Sequence, residues 1–417
     1  MKKSHPLWRT LRSLKGNQKA CVYTEPLWAI PNNLFLPFVS IYMAAVGLQD
    51  AQIGMIASFG LSMQFLWGLF SGAIVDKYGR RRTMLIFGLL SWTIPCLLWA
   101  VSQGYWYFMA AVFLNSMWQV TGNSFSCLIV EEGDTGQLIN IWTILNLIGL
   151  FAGFVSPIIG LFIDRFTLVP TIRVLYLFAM VMMTIKFLLH YRMLEESNIG
   201  RQRIEECKRS SLFSLTFGGW NVFTAAIRQS RIMLYVVLMT LMTCFNIIQA
   251  TFWPLFITTE YGVSNSMISI FPLVKAVTTI LVFLVITSRL TLHSIRRPLV
   301  VGLCAQLLGI VMLLVFLPLG KFAIAAVFFS AVCDAFALAV LGPLCESLIL
   351  VSIPAKERAR TNSLITSMVL MISIPAGWIA GQLSQHNRVF PLVLNLFLLI
   401  MEILVALFIT RVSNKDR

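Results

Sequence analysis

The chain has 417 residues, of which 58% are hydrophobic and only 12% are charged. Charged residues make up about a quarter of an ordinary soluble domain. This composition therefore excludes an ordinary soluble domain. The formal net charge is +15, which in a soluble protein would indicate a nucleic-acid partner. We expect no such partner here, because the placement of the basic residues accounts for the charge.

Long apolar runs recur from Trp28 almost to the end of the chain, and a run of about 18 such residues is long enough to cross a bilayer. No short apolar core with a small-residue cleavage site follows the basic N-terminus, so we expect the first run to be an uncleaved anchor. The sequence therefore predicts an all-α polytopic membrane protein with twelve transmembrane helices. Their predicted bounds are 27–47, 53–75, 83–102, 105–130, 138–163, 170–191, 232–257, 265–288, 298–319, 322–352, 361–384 and 389–410.

The basic residues are divided unequally between the two sides of this topology. Of the 32 Lys and Arg residues, 26 fall on the side that holds both termini and 4 on the other side. Cytoplasmic loops carry the excess of Lys and Arg in membrane proteins. We therefore predict a multi-pass protein of the bacterial inner (cytoplasmic) membrane with both termini in the cytoplasm.

A linker at residues 192–231 divides the helices into six and six. The predicted organisation is a basic cytoplasmic tail at 1–26, a six-helix bundle at 27–191, the linker, a second six-helix bundle at 232–410 and a short tail at 411–417. Residues 212–227 of the linker are amphipathic and predict a helix on the inner membrane surface. A solvated connector is the alternative.

The connection between the second and third predicted helices reads GAIVDKYGRRRT at residues 72–83. We expect Gly72 to permit close helix packing and Gly79 to permit a tight turn. Asp76 would place a carboxylate at the membrane edge, where the N-terminus of another helix attracts it. The simplest alternative is a basic turn that only fixes the topology.

This motif, in a chain with twelve spans and a long central loop, resembles the signature of the major facilitator superfamily. The resemblance implies two bundles built from repeats, with a solute site near the middle of the membrane. It also implies that Asp76 meets the start of the eleventh helix near Thr361, and that a charge relay reaches the end of the fourth helix. The gate so implied comprises Gly72, Asp76, Gly79, Arg80, Arg81, Arg82, Glu131 and Glu132. The equivalent turn of the second half, SRLTLHSIRR at 288–297, keeps only the basic end.

Two features depart from the patterns of proton-coupled and exporting members of the family. The fourth helix has no Arg, which proton-coupled members often carry there. The fifth helix has the spacing Gly149-x-x-x-Gly153-x-x-x-Pro157-x-x-Gly160, which only loosely resembles the antiporter signature. Close helix packing with a kink is the simpler interpretation of that spacing.

Ionisable side chains within a membrane are costly, and they are functional candidates for that reason. At about 1.5 Å per residue, Lys275 of the eighth helix and Asp334 of the tenth helix both lie near the midplane. We predict that they pair and that protonation of Asp334 couples transport to protons; a static ion pair is the alternative. We expect Lys186 and Glu346 near the inner surface, where they can reach water, and Glu402 has no assigned role.

Neutral polar side chains recur at helical spacing on three helices that surround the cavity in this family. Amides with a tryptophan suit a neutral, hydroxyl-rich or amphipathic solute, whereas hydrogen bonding between helices is the alternative. The predicted cavity residues are Asn32 and Asn33 on the first helix, Asn115, Gln119 and Asn123 on the fourth, and Asn246, Gln249 and Trp253 on the seventh.

No nucleophile–base set, P-loop or zinc spacing is present in the sequence, and the eight cysteines are scattered. We therefore expect no enzymatic activity, cofactor or metal. The predicted function is proton-coupled secondary transport of a small organic solute, with a sugar-like or other neutral metabolite favoured. A multidrug/proton antiporter is the alternative, and a non-transporting sensor with the same fold is the alternative of another class. The expected partners are the solute, protons and the lipid bilayer, and we expect a monomer.

Overall fold

The structure is a computed structural model that describes residues 6–131, 137–217, 230–285, 296–317, 323–352 and 358–415. Twelve long helical segments contain most of these residues, and we number them in chain order. Their bounds are α1 Gly16–Ala45, α2 Asp50–Tyr78, α3 Arg80–Ala100, α4 105–130, α5 138–166, α6 Leu168–Met193, α7 Ser230–Thr259, α8 265–285, α9 Arg296–Phe316, α10 Ala323–Ser352, α11 Arg358–His386 and α12 Phe390–Lys415. Shorter helices cover Pro6–Ser13, Asn198–Cys207 and Leu212–Phe217.

Within the described residues, 11 helices are long and apolar enough to cross a membrane. The remaining segment is α4, in which a turn at Ser116 and Met117 separates Tyr105–Asn115 from Trp118–Val130. The all-α polytopic class is confirmed. The first span begins earlier than predicted, at Gly16, so part of the predicted tail is helical. Pro26 is compatible with a helix that continues from Gly16 to Ala45. It is the first residue of the segment Pro26–Phe35, a position that needs no N–H donor.

The backbone separates into two compact units, which we describe one at a time. The first unit contains residues 1–36, 63–155 and 169–219, and the second contains residues 37–62, 156–168 and 220–417. Three helices, α1, α2 and α5, contribute one end to each unit. These units are defined by contacts and do not follow the order of the sequence. The predicted division into six and six spans stays a prediction.

In the first unit, apolar packing fixes the C-terminal end of α2. Ile74 and Val75 of α2 pack against Val120 of α4 in one buried cluster. A second group of contacts joins α1, α3 and α6, where the rings of Phe35 and Tyr176 are 5.1 Å apart and those of Trp99 and Tyr176 are 5.4 Å apart. These contacts bring the turn after α2 to the end of α4.

The second unit has an apolar core of its own. Side chains of α7, α9, α10 and α12 form it, including Leu238, Phe245, Leu303, Leu341 and Leu399. A smaller cluster joins Val282 of α8 to Ala339 and Val340 of α10. The two helices that carry the predicted ion pair are therefore packed against each other.

The beginning of α2 belongs to the second unit and lies very close to α11. A Cβ atom on Gly54 would lie 2.7 Å from the Cα atom of Gly381. The backbone N–H of Trp378 donates to Ser58 Oγ at 2.7 Å. Beside this contact, Arg388 donates from Nε and Nη2 to the carboxylate of Asp50, at 2.9 and 3.0 Å. Glycines allow this approach because they remove the side chain that would separate the backbones.

The predicted close packing at Gly72 is wrong. A Cβ atom there would have ordinary van der Waals contact, 3.9 Å from Asn123 Nδ2. The Asn123 side chain fills the space that a tight backbone contact would require. Gly54, which the motif does not include, is the glycine of α2 that permits close packing.

A pair of matched substitutions tests this assignment. Gly54→Ala should lower the free energy of unfolding by about 2 kcal/mol, because overpacking a tight contact typically costs about 1–3 kcal/mol. Gly72→Ala should be neutral or stabilising, since Ala favours a helix interior over Gly by up to about 1 kcal/mol. Thermal unfolding of the two purified variants in detergent measures the difference. Equal losses would show that α2 is not packed as described.

Candidate functional site

Gly79 forms the turn between α2 and α3. Its φ angle is +86°, in the left-handed region that favours glycine. A Cβ atom would also lie 2.7 Å from Glu196 Oε2. The prediction of a tight turn at this residue is confirmed.

Arg80 is the centre of a buried charge cluster at this turn, with only 3% of its surface exposed. Its Nη2 atom donates to Asp76 Oδ1 at 3.1 Å and to Glu131 Oε1 at 2.9 Å, and its Nε atom donates to the same Glu131 oxygen at 3.1 Å. A buried guanidinium needs such partners because removal from water is costly. The sequence prediction brought these three residues together, and the structure shows the contacts.

The linker supplies further members of this cluster, which the sequence analysis missed. The carboxylate of Glu196 accepts the backbone N–H groups of Arg80 and Arg81, at 2.9 and 3.0 Å. An acidic side chain at a helix N-terminus satisfies unpaired N–H groups and is favoured by the helix dipole. Ser197 donates its hydroxyl to Glu131 and accepts from Gly200 N at 2.8 Å, which makes Ser197 the N-cap of Asn198–Cys207.

Arg203 of this linker helix binds the second oxygen of Asp76. Its Nη2 atom lies 2.9 Å from Asp76 Oδ2, so both carboxylate oxygens of Asp76 have a guanidinium partner. The hydrogen bond with Asp76 raises the pKa of Arg203 above its ordinary value. We call Asp76, Arg80, Glu131, Glu196, Ser197 and Arg203 the Arg80 cluster.

The other residues of the predicted gate have different surroundings. Arg81 donates to the carbonyl of Tyr191 at 2.9 Å from Nε, and its guanidinium lies 4.5 Å from the centre of the Tyr191 ring. Arg82 is exposed. Glu132 lies outside the described residues, as do the side chains at the start of α11. The contact of Asp76 with that helix therefore stays a prediction.

The ion pair predicted between α8 and α10 is present. Lys275 Nζ lies 2.8 Å from Asp334 Oδ2, and Gln306 of α9 donates to Asp334 Oδ1 at 3.3 Å. The Asp334 side chain is 7% exposed, whereas the Lys275 side chain is 42% exposed. The carboxylate is therefore enclosed and the ammonium is accessible. Gln306 was not anticipated from the sequence.

Three of the predicted cavity amides form hydrogen bonds with neighbouring helices. Asn115 Nδ2 donates to the carbonyl of Ser91 at 2.8 Å, and Asn123 Nδ2 donates to Ser71 Oγ at 3.2 Å. Gln249 Oε1 accepts from Asn395 of α12 at 3.2 Å. These contacts match the alternative in which the amides join helices.

The remaining predicted cavity residues differ in their surroundings. Asn33 donates to Ala29 within α1 at 2.9 Å. The ring of Trp253 meets that of Phe271 edge-on at 5.0 Å, and its indole N–H has no partner among the described atoms. The other three, which are partly exposed, are Asn32, Gln119 and Asn246.

The prediction that Lys186 reaches water is wrong. Lys186 is only 4% exposed, and its Nζ atom lies 2.8 Å from Glu25 Oε2 on α1. The prediction failed because it assigned Glu25 to the tail and so removed the partner from α1. Glu402 of α12 is 1% exposed, and neither of its carboxylate oxygens has a partner among the described atoms. The side chain of Glu346 lies outside the described residues.

Comparison with protein families gives one match that covers most of the chain. The family model of the Major Facilitator Superfamily matches residues 29–377. A Danio rerio protein, major facilitator superfamily domain-containing protein 6-like, is 30% identical over 79 residues, which are 19% of this chain and 15% of that protein. The uncharacterized MFS-type transporter YqjV of Bacillus subtilis (strain 168) is 25% identical over 135 residues, 31% of this chain and 32% of that protein. The chain therefore matches a third or less of the length of these curated relatives.

Solved structures resemble the chain over nearly its whole length. A POT family transporter in complex with a thioalcohol-conjugated peptide has a TM-score of 0.72 and 14% identity, with 97% of this chain and 99% of that chain covered. The nucleoside transporter NupG has a TM-score of 0.69 and 14% identity, with 95% and 99% covered. At this identity the likeness shows the fold alone.

Substitution within the Arg80 cluster should reveal its contribution to stability. Arg80→Ala leaves Asp76 and Glu131 without their shared partner, and breaking a buried ion pair costs about 3–5 kcal/mol. Arg82→Ala, its matched control on the exposed neighbour, should change stability by less than about 0.5 kcal/mol. Thermal unfolding in detergent compares the two. A loss for Arg82→Ala as large as that for Arg80→Ala would contradict the assignment.

Proposed function

The chain belongs to the Major Facilitator Superfamily and is a membrane transporter of that type, and on this premise we propose that it couples the movement of a small polar organic solute to protons. The observation that carries the proposal is the Lys275–Asp334 pair, with its enclosed carboxylate and accessible ammonium. An ion pair within a membrane protein is a default candidate for coupling because each charge is costly without the other.

The pair has the properties that a proton switch requires. A proton on Asp334 removes the negative charge, and Lys275 then loses its ionic partner while Gln306 can still hydrogen-bond the neutral carboxyl group. Since the Lys275 side chain is 42% exposed, its ammonium can turn to a polar group of the solute or to water. Deprotonation restores the attraction and expels the competing group. In this scheme, solute and proton affect the same bond.

The polar groups of α1, α4 and α7 support a neutral, hydroxyl-rich solute as the favoured class. Asn115, Asn123 and Gln249 already bond to neighbouring helices, so they would position the helices. We propose that the indole N–H of Trp253, which has no partner among the described atoms, and the amide of Asn246 on the same helix offer hydrogen bonds to the solute. Amide and indole groups recognise hydroxyl and carbonyl groups without requiring a charge.

We further propose that the Arg80 cluster gates alternation. Its six members join the inner end of α2, the end of α4 and the linker helix within the first unit. The same α2 helix packs at its other end against α11 through Gly54 in the second unit. Measuring transport in Arg80→Ala and Arg82→Ala tests the proposal, and equal rates would contradict it.

For the orientation, we propose that both termini and the linker face the cytoplasm of a bacterial cell, with the protein acting as a monomer. The excess of basic residues on that side, 26 of 32, supports this orientation.

The orientation can be measured by proteolysis in sealed vesicles. Trypsin should cut within the linker, residues 192–231, in inverted vesicles, because the cytoplasmic side is then exposed to the protease. Right-side-out vesicles from the same cells should protect it. Cleavage only in right-side-out vesicles would reverse the proposed topology.

The proposed coupling predicts a specific loss of proton movement. Proteoliposomes would be challenged with pooled sugars, amino acids and cationic drugs while the internal pH is recorded. The wild-type protein should move protons with one pool, whereas Asp334→Asn should not, because the amide cannot bind and release the proton. Asp164→Asn, which changes an exposed carboxylate on α5, is the matched control and should behave as wild type. Undiminished proton movement in Asp334→Asn would remove Asp334 as the coupling residue.

A further inference from the structure

A second buried lysine–carboxylate pair lies in the first unit, between α1 and α6. Lys186 Nζ is 2.8 Å from Glu25 Oε2, with side-chain exposures of 5% for Lys186 and 13% for Glu25. The Lys186 ammonium also lies 5.7 Å from the centre of the Trp28 ring and 5.5 Å from that of Phe125. The function proposed so far does not use this pair.

Few other titratable groups surround the pair. His190 of α6 is buried, and its Nε2 atom contacts the hydroxyl of Thr24. Cys21 of α1 is fully buried beside them. The segments of α3, α4 and α5 that could approach, 83–130 and 138–153, contain no Asp, Glu, Lys, Arg or His. Among the described residues, Lys186, His190 and Cys21 are the ionisable groups placed beside Glu25.

Glu25 also lies in register with the predicted cavity face of α1. The helix passes through Glu25 with φ −57° and ψ −38°, so regular helical spacing continues across it. Trp28 and Asn32 follow at i+3 and i+7, which places all three residues on one face. Glu25 therefore lies about two helical turns before Asn32 on the same face of α1.

We propose that Glu25 is a second proton-binding site of this transporter. A proton on Glu25 would leave Lys186 with the faces of Trp28 and Phe125, and aromatic faces attract an ammonium group. The lysine therefore keeps favourable contacts after its ionic partner is neutralised. A purely structural ion pair would not need such contacts, because its carboxylate would stay charged. Glu25 is also the more exposed partner, so a proton can reach it.

The inference rests on the proposed proton coupling and extends it to both units. Each unit then holds one lysine–carboxylate pair, Lys186–Glu25 in the first and Lys275–Asp334 in the second, with Nζ–O distances of 2.8 Å in both. The expected consequence is that the protein binds two protons, one at each pair.

Infrared difference spectroscopy of the reconstituted protein tests this without any solute. The sample would be titrated between about pH 4 and pH 9, a range that includes the ordinary pKa values of Glu and His. The wild type should show a pH-dependent C=O band of protonated carboxyl groups. Glu25→Gln should remove one component of that band, and Asp334→Asn should remove a different one. Glu195→Gln, a control on the exposed surface of the linker, should remove neither.

Two further variants keep the test decisive. Lys186→Met should change the Glu25 component and leave the Asp334 component as it is, because only Glu25 loses its ionic partner. The double variant Glu25→Gln with Lys186→Met removes both charges and avoids an unpaired buried lysine if the single variant does not fold. Persistence of every component in Glu25→Gln, or in the double variant, would overturn the proposal. Failure of the proposed coupling would be seen separately, as proton movement that Asp334→Asn does not change.

Discussion

A charge buried among apolar helices must keep an opposite charge within hydrogen-bonding distance, and this constraint organises the structure. Removing one partner of such a pair costs about 3–5 kcal/mol, so the pairs determine which helices are neighbours. Arg80 joins α2 to α4, Lys186 joins α6 to α1, and Lys275 joins α8 to α10. Apolar packing surrounds each pair but does not specify it. The same bonds are the ones that a proton can weaken.

The linker has a larger part in the first unit than a connector would have. Glu196 caps α3, Ser197 contacts Glu131, and Arg203 occupies the second oxygen of Asp76. The signature motif is therefore completed by residues more than a hundred positions away in the sequence.

The sequence was sufficient for features that depend on local patterns. Hydropathy located the spans, and a glycine followed by three arginines located the turn at Gly79. The Lys275–Asp334 contact followed from equal depth in two helices that are neighbours in the family. Other features depend on contacts distant in the sequence. Nothing local distinguishes Gly54 from Gly72, because only the approach of Gly381 makes one position tight.

The predictions missed the Glu25–Lys186 pair and the amide contacts for related reasons. A hydropathy boundary near residue 27 assigned Glu25 to a solvated tail, although Pro26 allows the helix to continue from Gly16. The spacing of Asn115 and Gln119 indicated one stripe, but a turn at Ser116 and Met117 separates them. Amides at helical spacing are suited both to bonding between helices and to binding a solute. Only the group that each amide contacts in the folded protein distinguishes the two roles.

In the proposed mechanism, protonation of Asp334 couples solute movement to the proton gradient. The most direct measurement compares net accumulation with exchange in Asp334→Asn, using the solute that the proton measurements identify. The account predicts that proton-driven accumulation is lost while exchange of labelled for unlabelled solute across the same membrane continues, because exchange needs the cavity and the gate but no net proton transfer. Accumulation that persists in Asp334→Asn at the wild-type level would contradict the account.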